Sequence, residues 1–330
     1  MTTANNSPLV SIGVPVYNGE RFLRQALDSL LGQTYQHLEV VVCDNASTDK
    51  TEAICREYAL KDPRVRYHRN ATNIGVTPNF RRVLELSSGE YFMWASADDR
   101  KPPTIVHTCL EALQRDSGAV MAYGPVLLRV QEQEELLEIS NEMHMTELDV
   151  RARVRAFTLG LTSQGIVYGL YRREAITKAV FPTCYGQEYL LCLQMCLLGA
   201  LAYVRAPMVI YRLRKPTTPP YNPMYAEVPI TVMNLLRLGG FRRRKCWTVL
   251  LMGCYYLSRM PGVSVAQRMQ AIASHIVSFD QRYRRRLTKE LVFLLFLPVS
   301  YIGAFVWSIA RRWCVSGRVA RKVQALLLRA

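Results

Sequence analysis

Asp98 and Asp99 directly follow a short apolar run, in the stretch GEYFMWASADD that begins at Gly89. Two adjacent carboxylates at the end of a strand offer hard oxygen ligands. Mg2+ and Mn2+ take one or two such groups and leave the rest of their shell to substrate phosphates. Three comparable runs come earlier and in order: VSIGVPVYNGE from Val10, VVVCDNASTD from Val40 and NATNIGV from Asn70. The strand-like runs end in small, polar or acidic residues. In open parallel α/β sheets ligands bind outside the carboxyl ends of the strands, so one sheet edge receives polar groups repeatedly. Four such deliveries within residues 10–99 point to an enzyme that handles a nucleotide.

Those groups need a scaffold, and the hydrophobic pattern of the first 130 residues predicts one. Strands are expected at Leu9–Val14, Leu38–Cys43, Val65–His68, Tyr91–Trp94 and Ala119–Val130. Helices are expected at Arg21–Leu31, Asp49–Leu60, Asn79–Leu86 and Pro103–Gln114, with Ser47-Thr48-Asp49 offering cap-competent side chains for the second. Strand–helix alternation at this spacing argues for right-handed βαβ units and a largely parallel sheet. Glu132–Asp149 is acidic without a clear period and reads as a surface excursion. Regular structure is expected again at Gly165–Arg172, in a helix at Glu188–Leu198, and in strands near Leu201–Val204 and Val209–Leu213.

Charge divides the chain. Residues 1–199 hold 20 lysines and arginines against 23 acidic residues, whereas residues 200–330 hold 22 against three, a net +19. A near-neutral front half and a strongly basic back half suggest different partners. The nine cysteines are scattered with no CxxC pair, which argues against zinc and against a disulfide framework, and Cys192 and Cys196 read as small core residues. His37, His68, His107, His144 and His275 form no metal-ligand spacing. The start, MTTANNSP, lacks a charged stretch followed by an apolar one, so no secretory signal is expected and the catalytic part is placed in the cytoplasm.

Lys215–Pro229 holds five prolines and reads as a linker or a loop over the site. Beyond it the chain is basic, apolar and helical in pattern. Leu291–Ala310 carries no charge over 20 residues, about 30 Å as a straight helix and long enough for a bilayer core. Arginines flank both ends, so the positive-inside rule favours neither orientation, and Pro298 offers a bend. A re-entrant or in-plane anchor, a full span and a buried soluble helix all stay open. Arg242-Arg243-Arg244-Lys245 suits anionic head groups. No nucleic-acid motif accompanies this charge, so lipid, not nucleic acid, is the expected partner.

The run VSIGVPVYNGERFLRQALDSLLGQTYQHLEVVVCDNASTDKT, with NIGV and SADD downstream, resembles family 2 glycosyltransferases. The resemblance is close over about 130 residues and looser to about residue 215. It implies a GT-A fold, an α/β Rossmann-like and mostly parallel sheet flanked by helices. It also implies inverting transfer of a sugar from a nucleotide diphosphate donor to a hydroxyl acceptor, with Mn2+ or Mg2+. By the same resemblance Pro15, Tyr17 and Glu20 line the nucleotide pocket, Asp44 binds the nucleobase with Asn45 beside it, and Asn73 and Gly75 form the turn before the third helix. Asp98 and Asp99 match the metal and diphosphate motif, with Asp99 the direct ligand. Ser96 stands where many relatives have Asp. Glu188, in GQEYLL, matches the carboxylate that removes the acceptor proton, where relatives mostly have Asp. Gly169 falls in the segment before it and implies close approach to the donor sugar.

The implied organisation is a catalytic domain over 1–215, a Pro-rich linker or lid over 216–230 and a basic helical membrane-associating region over 231–330. Work at the cytoplasmic face of the membrane fits an acceptor carried on a lipid, in cell-surface polysaccharide or glycolipid synthesis. Two other classes stay open. A nucleotidyltransferase also pairs a parallel sheet with acidic metal ligands, but PVYNGE lacks its Gly-rich loop. A non-catalytic nucleotide-sugar-binding assembly factor at the membrane would account for Ser96 and Glu188.

Overall fold

A computed structural model describes residues 7–130, 136–139, 142–143, 145, 149–161, 164–184, 186–213 and 245–295. In chain order the strands are β1 (Val10–Val16), β2 (Leu38–Asp44), β3 (Val65–Arg69), β4 (Tyr91–Trp94), β5 (Ala119–Tyr123), β6 (Val126–Val130), β7 (Leu136–Ile139), β8 (Leu170–Arg172), β9 (Ala200–Tyr203) and β10 (Val209–Leu213). The helices are α1 (Leu23–Leu31), α2 (Thr51–Lys61), α3 (Val76–Leu86), α4 (Ile105–Arg115), α5 (Val150–Gly160), α6 (Arg173–Ile176), α7 (Gln187–Leu198), α8 (Lys245–Ser258) and α9 (Val265–Leu295).

Seven strands form one sheet in the order β3-β2-β1-β4-β8-β5-β9, and β10-β6-β7 form a second. The large sheet is parallel except for β8, which runs antiparallel between β4 and β5. Strand periodicity decides which side chain meets which layer. Val10, Ile12, Val14, Val40, Val42 and Met93 point to one face, where they pack with α1, α2 and α4. Val41, Cys43, Phe92, Trp94, Met121 and Tyr171 point to the other, into a core shared with α3, α5 and α7. Trp94 sits fully buried there, edge-on to Phe92 and Tyr171. Its Nε1 donates to the Phe80 carbonyl at 3.1 Å.

The helices α8 and α9 belong to that second core. Val249, Leu250, Leu257, Ala271, Phe279 and Leu287 are buried in the same cluster as Trp94. Ser264 and Gln267 cap α9 reciprocally: the Ser264 amide donates to Gln267 Oε1 at 3.2 Å, and the Gln267 amide to Ser264 Oγ at 3.3 Å. Among the described residues no helix is long and apolar enough to cross a membrane. The Pro-rich segment 216–230, with both its boundaries, the basic run 242–244 and most of 291–310 lie outside the described residues.

Four expectations need correction. Ala119–Val130 is two strands in two sheets, because the chain turns at Gly124-Pro125. A Cβ on Gly124 would lie 2.2 Å from the Ala206 carbonyl oxygen, so only glycine fits that crossing. The acidic excursion contains β7, and it buries Met143 and Met145 in the core. Gly165–Arg172 is not one strand: Gln164–Tyr168 is a 3-10 turn and only Leu170–Arg172 is β. At the start of α2, Asp49 closes a local turn onto the Thr51 amide at 3.0 Å, and the helix itself starts from Lys50 with no side-chain cap.

Candidate active site

The loops that leave β1, β2, β3 and β4 gather at one edge of the sheet, and polar side chains lace them together. The Asn18 amide donates to Ser47 Oγ at 2.9 Å and the Gly19 amide to Thr51 Oγ1 at 2.8 Å. Glu20 accepts from the Lys50 amide at 3.0 Å while its own amide donates to Asp49. Tyr17, at the tip, is 50 % exposed. Pro15 lies beyond the part of β1 that pairs with β4, which ends at Gly13 opposite Trp94, so its missing N–H costs no bond on that side.

Asp44 ends β2 fully buried, with both oxygens engaged. Oδ1 accepts from the Ser47 amide at 2.9 Å. Oδ2 accepts from the Tyr67 hydroxyl at 2.9 Å and from Arg69 Nη1 at 2.7 Å. The carboxylate therefore anchors the loop and the guanidinium, and of the two it is Arg69, one-third exposed, that reaches the surface. Asn45 is buried too and holds the next loop. Its amide nitrogen donates to Asn73 Oδ1 at 2.8 Å and to the Gly75 carbonyl at 3.0 Å, while its oxygen accepts from the Ile74 amide at 2.9 Å. Gly75 has φ +88°, a left-handed conformation that favours glycine and starts α3.

The acidic motif follows β4. The Ser96 hydroxyl donates to the Asp98 carboxylate, fixing the orientation of that side chain. Arg100 pairs with Ile210 through its main chain, 2.8 Å from the Ile210 amide to the Arg100 oxygen, so the loop is strapped to β10. Next to it Lys101 is buried. Its Nζ donates to the carbonyls of Tyr168 at 3.1 Å and Met208 at 3.4 Å. Burial pushes the Lys101 ammonium down to about 7, against the opposing pull of Asp99.

Tyr168 and Tyr211 stand edge to face, 6.0 Å apart. Burial raises both phenols, and the charges of Asp98, Asp99 and Glu188 raise both further. All three carboxylates thus act on one tyrosine pair, although Glu188 is about 90 residues further along the chain. Glu188 stands half-exposed in the first turn of α7, whose next nine residues are all buried. That turn is set by Gly186, at φ +81°, and by Gln187, which accepts from the Thr77 hydroxyl and donates to Glu188 at 3.3 Å. At Gly169 a Cβ would meet the Ala122 carbonyl at 2.6 Å, so the lack of a side chain there allows close packing on β5.

Asp98 and Asp99 fit a divalent cation of the kind expected, held by one or two carboxylates and completed by phosphates. Among the described residues no cluster of three His, Cys, Asp or Glu side chains could hold an ion alone. Sequence reasoning missed Arg69, Lys101, Tyr168, Gln187 and Tyr211. Only Arg69 carried a signal, as a cation one residue before the Asn70 turn.

A family model described as Glycosyl transferase family 2 matches residues 11–178. An uncharacterized glycosyltransferase of Rickettsia typhi is 37% identical over 118 residues, covering 36% of each chain. Chondroitin synthase of Escherichia coli is 34% identical over 121 residues, 37% of this chain and 18% of that one. The chain thus matches only 36% and 18% of the length of these two curated relatives. Among solved structures, S. aureus TarS 1-349 in complex with UDP-GlcNAc superposes with a TM-score of 0.61 at 17% identity, over 93% of this chain and 82% of that one. Mannosyltransferase PcManGT of Pyrobaculum calidifontis, in complex with GDP-Man and Mn2+, gives 0.52 at 16% identity over 98% and 86%. At these identities the likeness shows a shared GT-A-type fold.

Proposed function

The chain belongs to glycosyl transferase family 2, and from that membership we propose that it moves a sugar from a nucleotide diphosphate donor to an acceptor hydroxyl, with inversion. The observation that carries this reading is the placing of carboxylates on elements joined by side-chain bonds: Ser96 holds Asp98 beside Asp99 after β4, and Glu188, in the first turn of α7, accepts from Gln187, which is itself bonded to Thr77 at the start of α3.

The nucleotide lies across the laced loops. Tyr17 offers an exposed ring face to the base, with Pro15 and Glu20 beside it, and Asn45 fixes the Asn73–Gly75 turn. Asp44 acts at this end through Arg69 and the 45–47 loop. Asp99 and Asp98 would hold the cation, with Ser96 orienting Asp98. A bound Mn2+ or Mg2+ supplies positive charge to the diphosphate as it leaves. Glu188 accepts the proton of the acceptor hydroxyl as its oxygen attacks the anomeric carbon. The bond from that carbon to the diphosphate breaks on the opposite side, and the electron pair leaves with the phosphate oxygen. One displacement inverts the configuration.

UDP-GlcNAc and GDP-Man in the structural neighbours support the donor class. The chondroitin synthase relative supports a polysaccharide product. We place the reaction at the cytoplasmic face of the membrane, on a lipid-carried acceptor, in keeping with the net +19 of residues 200–330. The test is nucleotide release from UDP-, GDP- and dTDP-sugars by the protein in membranes that carry acceptor, with Mn2+ or with EDTA. Release from one donor with Mn2+, absent with EDTA and lost in Glu188→Gln while donor binding persists, is the expected result. Release at the wild-type rate by Glu188→Gln would overturn the assignment of the base.

A further inference from the structure

Eight large hydrophobic side chains are exposed among the described residues, and six of them sit on α8 and α9: Leu251, Tyr255, Val265, Met269, Ile276 and Val277. The other two, Tyr17 and Leu60, are separate. Singly scattered apolar residues are ordinary on a soluble surface, whereas a clustered set marks a contact site. An ordinary surface helix has one apolar face, turned to the core. The inner face of α9 is already used: Ala271, His275, Phe279 and Leu287 are buried, and Arg282 donates to the Thr158 carbonyl on α5 at 2.6 Å. Val265, Met269 and Ile276 recur at i, i+4 and i+11, a second stripe on another side of the same helix. Leu251 and Tyr255 recur at i, i+4 on the neighbouring α8.

The charge around this stripe is one-sided. Residues 245–295 carry eight lysines and arginines against two acidic residues; Arg259 and Arg285 are exposed, Arg259 lying over the Tyr255 ring at 5.2 Å, while Arg284 is paired with Asp280. Apolar side chains and arginines together, on helices whose described residues are not long and apolar enough to cross a bilayer, match an element lying in the plane of an anionic membrane surface. A nucleic acid would use the arginines and leave the aliphatic stripe without a role. We infer that the outer face of the α8–α9 hairpin docks on anionic phospholipid through Leu251, Tyr255, Val265, Met269 and Ile276.

The surface is placed to matter for transfer. Val249 of α8 packs on Gly186, where a Cβ would come within 2.9 Å of Cγ2, and Glu188 follows two residues later. Docking this hairpin therefore sets the helix that carries the proposed base close to the bilayer, where a lipid-carried acceptor is found. The inference rests on the membrane part of the reading above and not on its chemistry.

Sedimentation of the full chain with vesicles of phosphatidylcholine alone, and with about 30 mol% phosphatidylglycerol added, tests it. Wild type should bind the anionic vesicles, and Val265→Ser/Met269→Ser/Ile276→Ser should lower the partition coefficient by about a hundredfold with circular dichroism unchanged. The milder serines guard against a misfolded Val265→Glu/Met269→Glu/Ile276→Glu protein. Wild type that ignores vesicles would overturn the membrane reading together with this one. Wild-type binding that the serine variant retains would overturn only the assignment of this face. Self-association of wild type without lipid binding, lost in the variant, would make a second copy the occupant and overturn the proposal.

Discussion

Lys101 donates its Nζ to the main-chain carbonyl of Tyr168 at 3.1 Å, and so ties the acidic loop to the turn that carries half of the aromatic pair. The same ammonium reaches Met208, at the entry to β10 and Tyr211. One buried side chain, two residues after Asp99, thus ties the acidic loop to both segments that carry the tyrosines. A thioether of similar length keeps the packing and removes the desolvation cost of the buried ammonium, which offsets the loss of its bonds to the Tyr168 and Met208 carbonyls. Lys101→Met should therefore unfold at about the wild-type denaturant midpoint. Its transfer rate should fall by roughly tenfold to a hundredfold, because a misplacement near 1 Å costs that much. Urea titration and kcat at saturating donor read the two effects separately.

Asp44 separates two roles that the sequence alone merges. Its carboxylate is fully buried and accepts from Ser47, Tyr67 and Arg69. Asp44→Asn keeps the shape but removes the charge that faces Arg69, which should cost about 3 kcal/mol of stability. Chemical denaturation measures this without substrate. A variant of wild-type stability that has lost only donor binding would instead make Asp44 a direct ligand of the nucleobase.

Much of the fold was legible because local pattern and burial agree. Leu38–Cys43 reads as a continuous apolar run, and the strand found there, Leu38–Asp44, is buried at every position, as a central parallel strand must be. Asp98 and Asp99 could be found because their meaning lies in adjacency. Lys101 could not, since its partners lie 67 and 107 residues away and a lysine carries no sign of burial. The helix α5 went unread because Arg151, Arg153 and Arg155 interrupt its apolar stripe, although Val154 and Phe157 are fully buried. The strand β8 has only three residues, too few to show a period, and its antiparallel direction follows from the tertiary path alone.

Glu39 makes the sheet sensitive to acid at the edge away from the site. Burial raises its carboxyl, but the Ser11 hydroxyl at 2.6 Å, the Ser88 amide and Arg66 outweigh that and lower it to about 2. The folded form therefore holds this proton less tightly than the unfolded chain, whose value is 4.5. The stabilisation is complete above pH 4.5 and is lost as pH falls toward 2. It amounts to about 3 kcal/mol. Glu39→Gln should lower the denaturation midpoint at pH 7 and flatten its dependence on pH below 4.5. Midpoints from pH 7 down to pH 3 for both proteins check this.

His275 sets a second pH window, in the C-terminal helices. It is fully buried between α7 and α8, with Nδ1 3.5 Å from the Tyr189 hydroxyl and Nε2 against Gly253, where it makes no well-formed hydrogen bond among the described residues. Burial lowers its imidazole to about 4, only partly opposed by the carbonyls of Leu250 and Val249. The other polar groups around it are the Tyr189 phenol and, further along α9, Arg282, which is engaged with Thr158. No acidic side chain compensates a proton there among its described contacts. The neutral ring is favoured in the fold, so stability is complete above 6.5 and declines as pH falls from 6.5 toward 4, by about 3 kcal/mol at most. His275→Leu removes the titration while keeping an apolar filling. Amide exchange in α8 and α9 should quicken between pH 7 and pH 5 in wild type, after correction for the intrinsic rate, and stay level in the variant. Equal acceleration in both proteins would assign the acid sensitivity to another group.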